Sequence, residues 1–522
     1  MKLVLSLCLL VLSDLVSAGQ SGVGKRIYET GALSDGKYVT ATVQSDIIVN
    51  GRQLACVSCH KTSLKGSAEG KLVVPALTYE SLMKGKKFSL AERRGRDAQG
   101  SRIHTPYTDD LLKRAIVQGV AADGRSLDPA MPKYRLSPDE LGALISYIKS
   151  QHDRMPDGVD TKEIHIATII AGDVDPERKR DMLNIINTFL RQKNADTRQE
   201  TQRALHTPWT REWWYKSYRK VRLHVWTLSG DASTWKTELS DLYKQRPVFA
   251  VVSGLGRDWH VIDEFCEDSR IPCVLPNAES SHEATSEGFS YALHFNGGLP
   301  VEEDVLSKYI RDQGLVGCFT ILSDNDKLFH DSAERLREKL KTVGVDARIE
   351  EIDGQSAHRQ CANVIVWTAN ADAARHVGKR MHEGNIYLSS ALVPEYEDLM
   401  SDSCHCTYYI VTPYQVGNIP VNNARSFSWL KASIGAVSDT YLSLDTLYTI
   451  KLTSDAIVSM RSNFSREYFL ERIEHLVDKS LMHPAYDHIS LGPNQRTLSN
   501  GVYVLSIDAE TKKMTRGPWY SR

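Results

Sequence analysis

The sequence predicts a multidomain chain, a small all-α unit followed by a larger, bilobal α/β unit. Three observations carry that expectation. The chain has 522 residues, more than one hydrophobic core organises, and length alone suggests about three domain-sized bodies. An isolated motif, "CVSCH" from Cys56 to His60, sits in an N-terminal stretch that ends in a helical pattern near Gln151. Beyond it, short apolar runs alternate with amphipathic ones, the pattern of βαβ units, and the series restarts at Leu315.

Composition sets the limits. With 41% hydrophobic and 25% charged residues, the chain is globular and has the apolar surface for sizeable cores. A net charge of -1 argues against a nucleic-acid binder or a membrane-surface protein held by electrostatics. The charge is unevenly spread: Gly19 to Ser150 holds 20 Lys and Arg against 13 Asp and Glu. A basic N-terminal unit therefore precedes an acidic remainder.

The first residues, "MKLVLSLCLLVLSDLVSAGQ", join one Lys, an apolar run from Leu3 to Leu12 and the small residues Val16, Ser17 and Ala18. This is the pattern of a secretory signal over residues 1–18, cut after Ala18, and it places the protein in the periplasm. A transmembrane anchor needs about 20 apolar residues, and Asp14 interrupts the run too early. No later run is long enough to span a bilayer. Of nine cysteines, Cys8 leaves with the signal and two belong to "CVSCH". Six thiols in an exported chain point to disulfides. Nearness in sequence favours Cys266 with Cys273, and Cys318 with Cys361 follows if both begin neighbouring strands. Cys404 and Cys406, in "SCHC", lack the two-residue gap of "CVSCH" and are read as a disulfide or buried thiols, not as a second cofactor or metal site.

Two thiols separated by two residues lie on one helical turn, where each can add its S–H across a vinyl group of haem. The His that follows turns its imidazole to the iron. Cys56 and Cys59 are therefore the covalent haem anchors and His60 an axial iron ligand; one motif implies one haem c. The sixth ligand must come from elsewhere, and a thioether, which stabilises ferrous iron and raises the potential, is supplied by Met131. That residue lies in "GVAADGRSLDPAMPKYRLSPDELGALISYIKSQ", between turn-forming Gly124, Pro129 and Pro132 and a helix opened by Ser137, Pro138, Asp139 and Glu140. His104 and Met83 are weaker alternatives.

Residues 19–151 resemble a class I mono-haem cytochrome c. "GKRIYETG" corresponds to its N-terminal helix, "CVSCH" to its haem site, "AMPKY" to its Met loop and "LSPDELGALISYIKS" to its terminal helix. The resemblance implies an all-helical electron carrier, and it implies that the Pro75 carbonyl in "VVPAL" orients His60. A six-coordinate iron without substrate access makes oxygenase or peroxidase chemistry improbable. The basic stretch "KGKKFSLAERRGRD", Lys84 to Asp97, is either a docking surface for an acidic partner or a solvated loop.

A polar stretch, residues 152–162 with Pro156 and Gly158, reads as a linker. From residue 163 to 522 the runs "HIATIIAG", "LHVWTLSG", "PVFAVVSG", "IPCVLPN", "LVGCFTILSD", "ANVIVWTA", "NIYLSS" and "CTYYIVTP" alternate with stretches such as "SAERLREKLKTVG". The region resembles a type I periplasmic binding protein of the branched-chain amino-acid or amide receptor kind. An insertion-like segment rich in Trp and Arg, "QETQRALHTPWTREWWYKSYRKVRLHVWTL", is expected to be a packed helical pair, the alternatives being tryptophans that stack on a ligand or cover the haem domain. In such folds ligands sit where loops leave the carboxyl ends of strands, which nominates Ser253, Gly254, Asn277, Ser323 and Thr368 for the cleft. Acidic "SDNDKL" lacks a full calcium loop at Leu328. Hydrolase and phosphate-loop signatures are absent, so the chain reads as an electron carrier and not an enzyme.

The expected function is one-electron transfer by an exported cytochrome whose solute-binding-like module senses a ligand or docks a partner. The redox partner is a periplasmic dehydrogenase, cupredoxin or oxidase, and the module takes a small-molecule ligand. The alternative is an ABC-type solute receptor for an amino-acid- or amide-like ligand with an accessory cytochrome.

Overall fold

The structure is a computed structural model that describes residues 22–44, 46–69, 72–83, 105–206, 219–280, 289–352, 361–400, 404–416, 424–461, 463–479, 483–492, 495–499 and 501–521. The signal segment, the basic stretch from Lys84 to Asp97, His104 and the Trp-rich part of the insertion lie outside the described residues. The chain parts into two compact units. One comprises Met1–Pro156 with Glu200–Tyr218 and Met460–Glu471; the other comprises Asp157–Gln199, Arg219–Ser459 and Arg472–Arg522.

In the first unit a helix over residues 22–30 packs on the helix Pro138–Ser150, with the Tyr28 and Tyr147 rings 5.4 Å apart. Ile27, Leu144, Ile145 and Ile148 are buried with them. Gly24 makes the approach possible, because a Cβ there would fall on the Ala143 carbonyl. The helix Pro138–Ser150 begins where the sequence signals it: Ser137 Oγ accepts from Glu140 N at 3.4 Å, and Glu140 Oε2 accepts from Ser137 N at 2.8 Å, a reciprocal capping box. Thr108 Oγ1 accepts from Leu111 N at 3.3 Å and so caps the helix Asp109–Gln118, and Gly119 ends it at φ 69°.

The unit is not all-α, which corrects the sequence expectation. β1 (Thr40–Val43) and β2 (Ile47–Asn50) form an antiparallel hairpin, and β5 (Lys133–Arg135) adds to β1 in a sheet of order β2-β1-β5. β3 (Ser67–Glu69) and β4 (Leu72–Val74) form a second pair. The cause is legible in "YVTATVQSDIIVN", where β-branched residues flank a turn with Gln44 at φ 50°. The helical landmarks on either side drew attention away from it.

The second unit has two parallel α/β layers. In the first lobe β6 (Glu163–Ala171), β7 (Lys220–Leu228), β8 (Ala250–Val252), β9 (Cys273–Val274) and β10 (Ala292–Asn296) are parallel neighbours. In the second lobe β11 (Phe319–Ser323), β12 (Ala347–Glu351), β13 (Asn363–Trp367), β14 (Glu383–Leu388) and β15 (His405–Thr412) are likewise parallel. The chain then crosses back. β16 (Thr497–Ser499) joins the first sheet beside β10, while β17 (Gly501–Asp508) and β18 (Met514–Ser521) extend the second sheet antiparallel, giving orders β16-β10-β9-β8-β6-β7 and β12-β11-β13-β14-β15-β17-β18. Strands covered on both faces explain the continuous apolar runs in the sequence.

Packing settles how three further stretches are held. Of the insertion, the described beginning completes the helix Pro176–His206 and the end is β7, hydrogen-bonded along β6 from Glu163 to Ala171, while residues 207–218 between them lie outside the described residues. The expected linker, residues 152–162, is tied down at both ends. Glu80 receives Asp153 N at 2.8 Å and lies 3.1 Å from His152 Nδ1, contacts that hold its carboxyl at about 2; farther on, His165 N donates to Gly158 O at 2.7 Å. Disulfides join Cys266 to Cys273, Cys318 to Cys361 and Cys404 to Cys406. Cys318 and Cys361 do precede neighbouring strands, β11 and β13.

Candidate functional site

The helix Cys56–His60 is a single turn and a half that takes its place from what surrounds it. Tyr28 Oη donates to Lys61 O at 2.7 Å, Ser67 Oγ to Cys59 O at 2.9 Å, and Tyr134 Oη to Leu54 O at 2.8 Å. Gly66 N donates to His60 O at 3.1 Å, and only glycine fits there, at φ 74°, because a Cβ would strike the Val74 carbonyl. These bonds wrap residues 61–66 around His60.

His60 is 5% exposed, and its Nδ1 lies 2.9 Å from Pro75 O. A carbonyl only accepts, so the proton sits on Nδ1 and the Nε2 lone pair is bare. Burial pushes the imidazole pKa down to about 4, the Pro75 carbonyl opposing in part. The ring is therefore neutral at neutral pH, the form that binds a metal. Cys56 and Cys59 stand outside the three disulfides. Burial pushes the Cys56 thiol up to about 11, with Tyr134 hydrogen bonding against the shift.

Met131 is half-buried against the same core, as are Cys56, Val57, Leu77 and Met83. Its loop is fixed by Met131 N donating to Asp128 O at 2.9 Å and Leu127 N to Gly119 O at 2.8 Å. Two thiols, a neutral imidazole, a thioether and an incompletely covered apolar wall are a donor set that fits haem c.

Sequence reasoning missed Glu471. Its carboxylate accepts from Ser63 N at 2.8 Å and from Ser63 Oγ at 2.5 Å, three residues after His60. A partner 408 residues away leaves no local signal. With haem in place, Glu471→Gln keeps the shape but removes a negative charge that favours ferric iron. The midpoint potential should rise by tens of millivolts, the scale of one unit charge through an effective dielectric of about 20; spectroelectrochemistry checks it, and an unchanged potential contradicts this role.

In the second unit a cavity of about 580 Å³ opens between the two sheets' strand-end loops. Asn277 lines it; Ser253, Gly254, Ser323 and Thr368 do not. Each of the four lies a residue or two upstream of a lining position and is spent on building the loop. Ser253 Oγ and Gly254 O accept from Asn277 Nδ2 at 3.3 and 3.2 Å, and a Cβ at Gly254 would strike the Trp259 indole. Thr368 Oγ1 donates to Asp324 and accepts from Asn370 N, while Ser323 Oγ donates to Asp324 O at 3.3 Å. The residues that do face the cavity include Leu255, Gly256, Asp324, Asn370 and Tyr414, which follow strand ends, together with Glu302, Tyr441 and Asp445 from helices. The "SDNDKL" acids are a helix cap: Asp326 Oδ1 accepts from Leu328 N and Phe329 N at 3.0 and 3.2 Å. Among the described residues no group of three or more His, Cys, Asp or Glu could hold a metal ion.

Glu302 is 2% exposed and accepts from Ser390 N at 3.0 Å and from Ser390 Oγ; burial raises its pKa to about 7. Between the ordinary carboxylate range and pH 7 the native state holds this proton and the unfolded chain does not, so stability falls as pH rises through that window. Glu302→Gln should stabilise the ligand-free protein at pH 8 by up to about 3 kcal/mol, and little at pH 5. Urea unfolding at the two pH values measures it, and equal effects would contradict the assignment.

Residues 48–152 match the family model described as Cytochrome c. The chain carries a cytochrome c domain. This domain implies a covalently bound haem and electron transfer. No curated protein matches the chain. Solved structures similar to it include the ABC transporter substrate-binding protein from Sphaerobacter thermophilus, at 11% identity and TM-score 0.48 over 69% of this chain and 98% of that one. A branched chain amino acid ABC transporter from Thermus thermophilus with bound valine shares 9% identity at TM-score 0.49 over 69% and 97%. A branched-chain amino acid transporter substrate binding protein from Streptococcus pneumoniae, in complex with isoleucine, shares 10% identity at TM-score 0.49 over 69% and 100%. The second unit itself consists of two mainly parallel α/β sheets, and the end of the chain contributes strands to both. Among the described residues no helix is long and apolar enough to cross a membrane.

Proposed function

We propose that this protein is an exported, mono-haem c-type cytochrome that transfers single electrons, and that its solute-binding-like module senses a small molecule or docks a periplasmic redox partner. The observation that carries the reading is the buried, neutral His60 with Nδ1 held by Pro75 O, directly after two cysteines outside the disulfides. Haem bound there supplies an iron that alternates between ferric and ferrous. Cys56 and Cys59 would anchor it, His60 Nε2 and the Met131 sulfur would hold its iron, and the Pro75 carbonyl keeps the proton on His60 Nδ1. The half-buried wall of Val57, Leu77 and Met83 excludes water from the ring. A dehydrogenase, cupredoxin or oxidase of the periplasm is the exchange partner. Three disulfides support an oxidising compartment.

A second reading makes the protein mainly a solute receptor with an accessory cytochrome, and the cavity of about 580 Å³ favours it. Coupling separates the two. A ligand that binds the redox states unequally must shift the midpoint potential, because linkage is reciprocal. A potential that moves on saturation with ligand supports redox-linked sensing; binding without a shift supports the receptor reading.

A further inference from the structure

The cavity of the second unit has an unusual balance of charge. Among the described residues its lining includes eight Asp and Glu against two Arg and no Lys. Neither guanidinium stands apart from a carboxylate. Arg257 Nε lies 3.0 Å from Glu279 Oε2 and its Nη1 2.7 Å from Asp326 Oδ2, and Arg178 Nε lies 3.1 Å from Asp439 Oδ2. A ligand carboxylate entering this space would find its cationic partners already engaged and an acidic excess facing it.

Among the described residues, the deep acids Glu302 and Asp445 have no Lys or Arg paired with them. Glu302 is held by one serine, through its backbone N and its hydroxyl. Asp445, 3% exposed, faces the His483 imidazole, with its Oδ1 3.1 Å from Nε2. Burial raises the pKa values of Glu302 and Asp445. Desolvated carboxylates of this kind gain when a cation arrives beside them. The cavity also has an aromatic side: Tyr414 and Tyr441 line it with ring centroids 4.7 Å apart, and Tyr486 backs Tyr414 at 5.1 Å. Aromatic faces next to buried carboxylates are the surroundings in which a desolvated ammonium is held.

We propose that this cavity binds a small organic ammonium ion that carries no carboxylate, with Glu302 and Asp445 neutralising it and Tyr414 and Tyr441 covering its alkyl groups. The proposal rests on the reading of the second unit as a solute-binding module. It narrows the ligand from amino acids and amides to amines. A zwitterion is disfavoured by the acidic excess, and a neutral alcohol or amide leaves the buried carboxylates without a counter-charge.

The test is calorimetric titration of the full-length haem-loaded protein with butylammonium, phenethylammonium and tetramethylammonium, and with butanol, butyramide and L-valine. At least one ammonium should bind, with butanol, butyramide and valine weaker by about 10- to 100-fold, the effect of losing a charged hydrogen bond or its counter-charge. Glu302→Gln and, as a second variant, Asp445→Asn should each weaken the ammonium by about the same factor, with thermal unfolding showing that the variant is folded. Primary and quaternary ammonium ions distinguish hydrogen-bonded from purely charge and aromatic recognition, and binding of either class supports the proposal. Valine, butanol or butyramide binding as tightly as every ammonium overturns the ligand class while leaving the module a solute binder. No binding by any of the six overturns both.

Discussion

Replacing Met131 by Ala is expected to abolish the low-spin, Met-ligated spectrum of the haem-loaded protein and to lower its midpoint potential. A thioether stabilises ferrous iron, and axial ligands set haem potentials over a range of about 0.8 V. Loss of the sulfur in favour of water or a nitrogen donor should therefore cost on the order of 0.1–0.3 V. The side chain is half-buried, and its loop is fixed by bonds that do not involve the sulfur: Met131 N to Asp128 O at 2.9 Å, and Ala130 N to Asp128 Oδ1 at 3.0 Å. The substitution should thus leave the loop in place, and the spectrum reports the ligand and not a collapse of the fold. A variant with an unaltered spectrum would take Met131 out of the iron site and return attention to Met83, which packs on the same core, or to His104.

The second large effect is covalent. With Cys56→Ser and Cys59→Ser together, no thioether can form, and haem should be extractable by acidified solvent from a chain that otherwise retains it through denaturation. Single variants should keep one bond each and show a shifted haemochrome band. The Cys56 thiol is pushed up to about 11 by burial, so it remains protonated at neutral pH, the state that adds as S–H across a vinyl group. Complete retention of haem by the double variant after extraction would place the attachment elsewhere.

The legibility of these features in the sequence follows the range of the interactions. "CVSCH" was readable because its chemistry closes within five residues, and the helix at Pro138 because its capping box is local. The disulfide between Cys318 and Cys361 was readable only conditionally, through the strands that follow each cysteine. The β1-β2-β5 sheet was missed although "YVTATVQSDIIVN" carries its signal, since the neighbouring landmarks are helical. For the cavity, the strand-end rule named Asn277, which lines it, and four residues that lie just before lining positions. The polar side chains at the strand ends, Ser253, Ser323 and Thr368, are 1%, 3% and 0% exposed and satisfy backbone or neighbouring groups, so the residues just after them form the surface. Glu302, Tyr441 and Asp445 come from long helices, and Glu471 meets Ser63 across 408 residues. Such contacts are decided by tertiary packing and have no periodicity to find.

The most direct measurement is a spectroelectrochemical titration of the full-length protein produced in a host that exports and matures c-type cytochromes, with haem quantified per chain. One covalently bound haem per chain and a single reversible one-electron wave are expected. A chain that leaves the exporting pathway without covalent haem, or that shows more than one haem or a multi-electron wave, would contradict a mono-haem electron carrier.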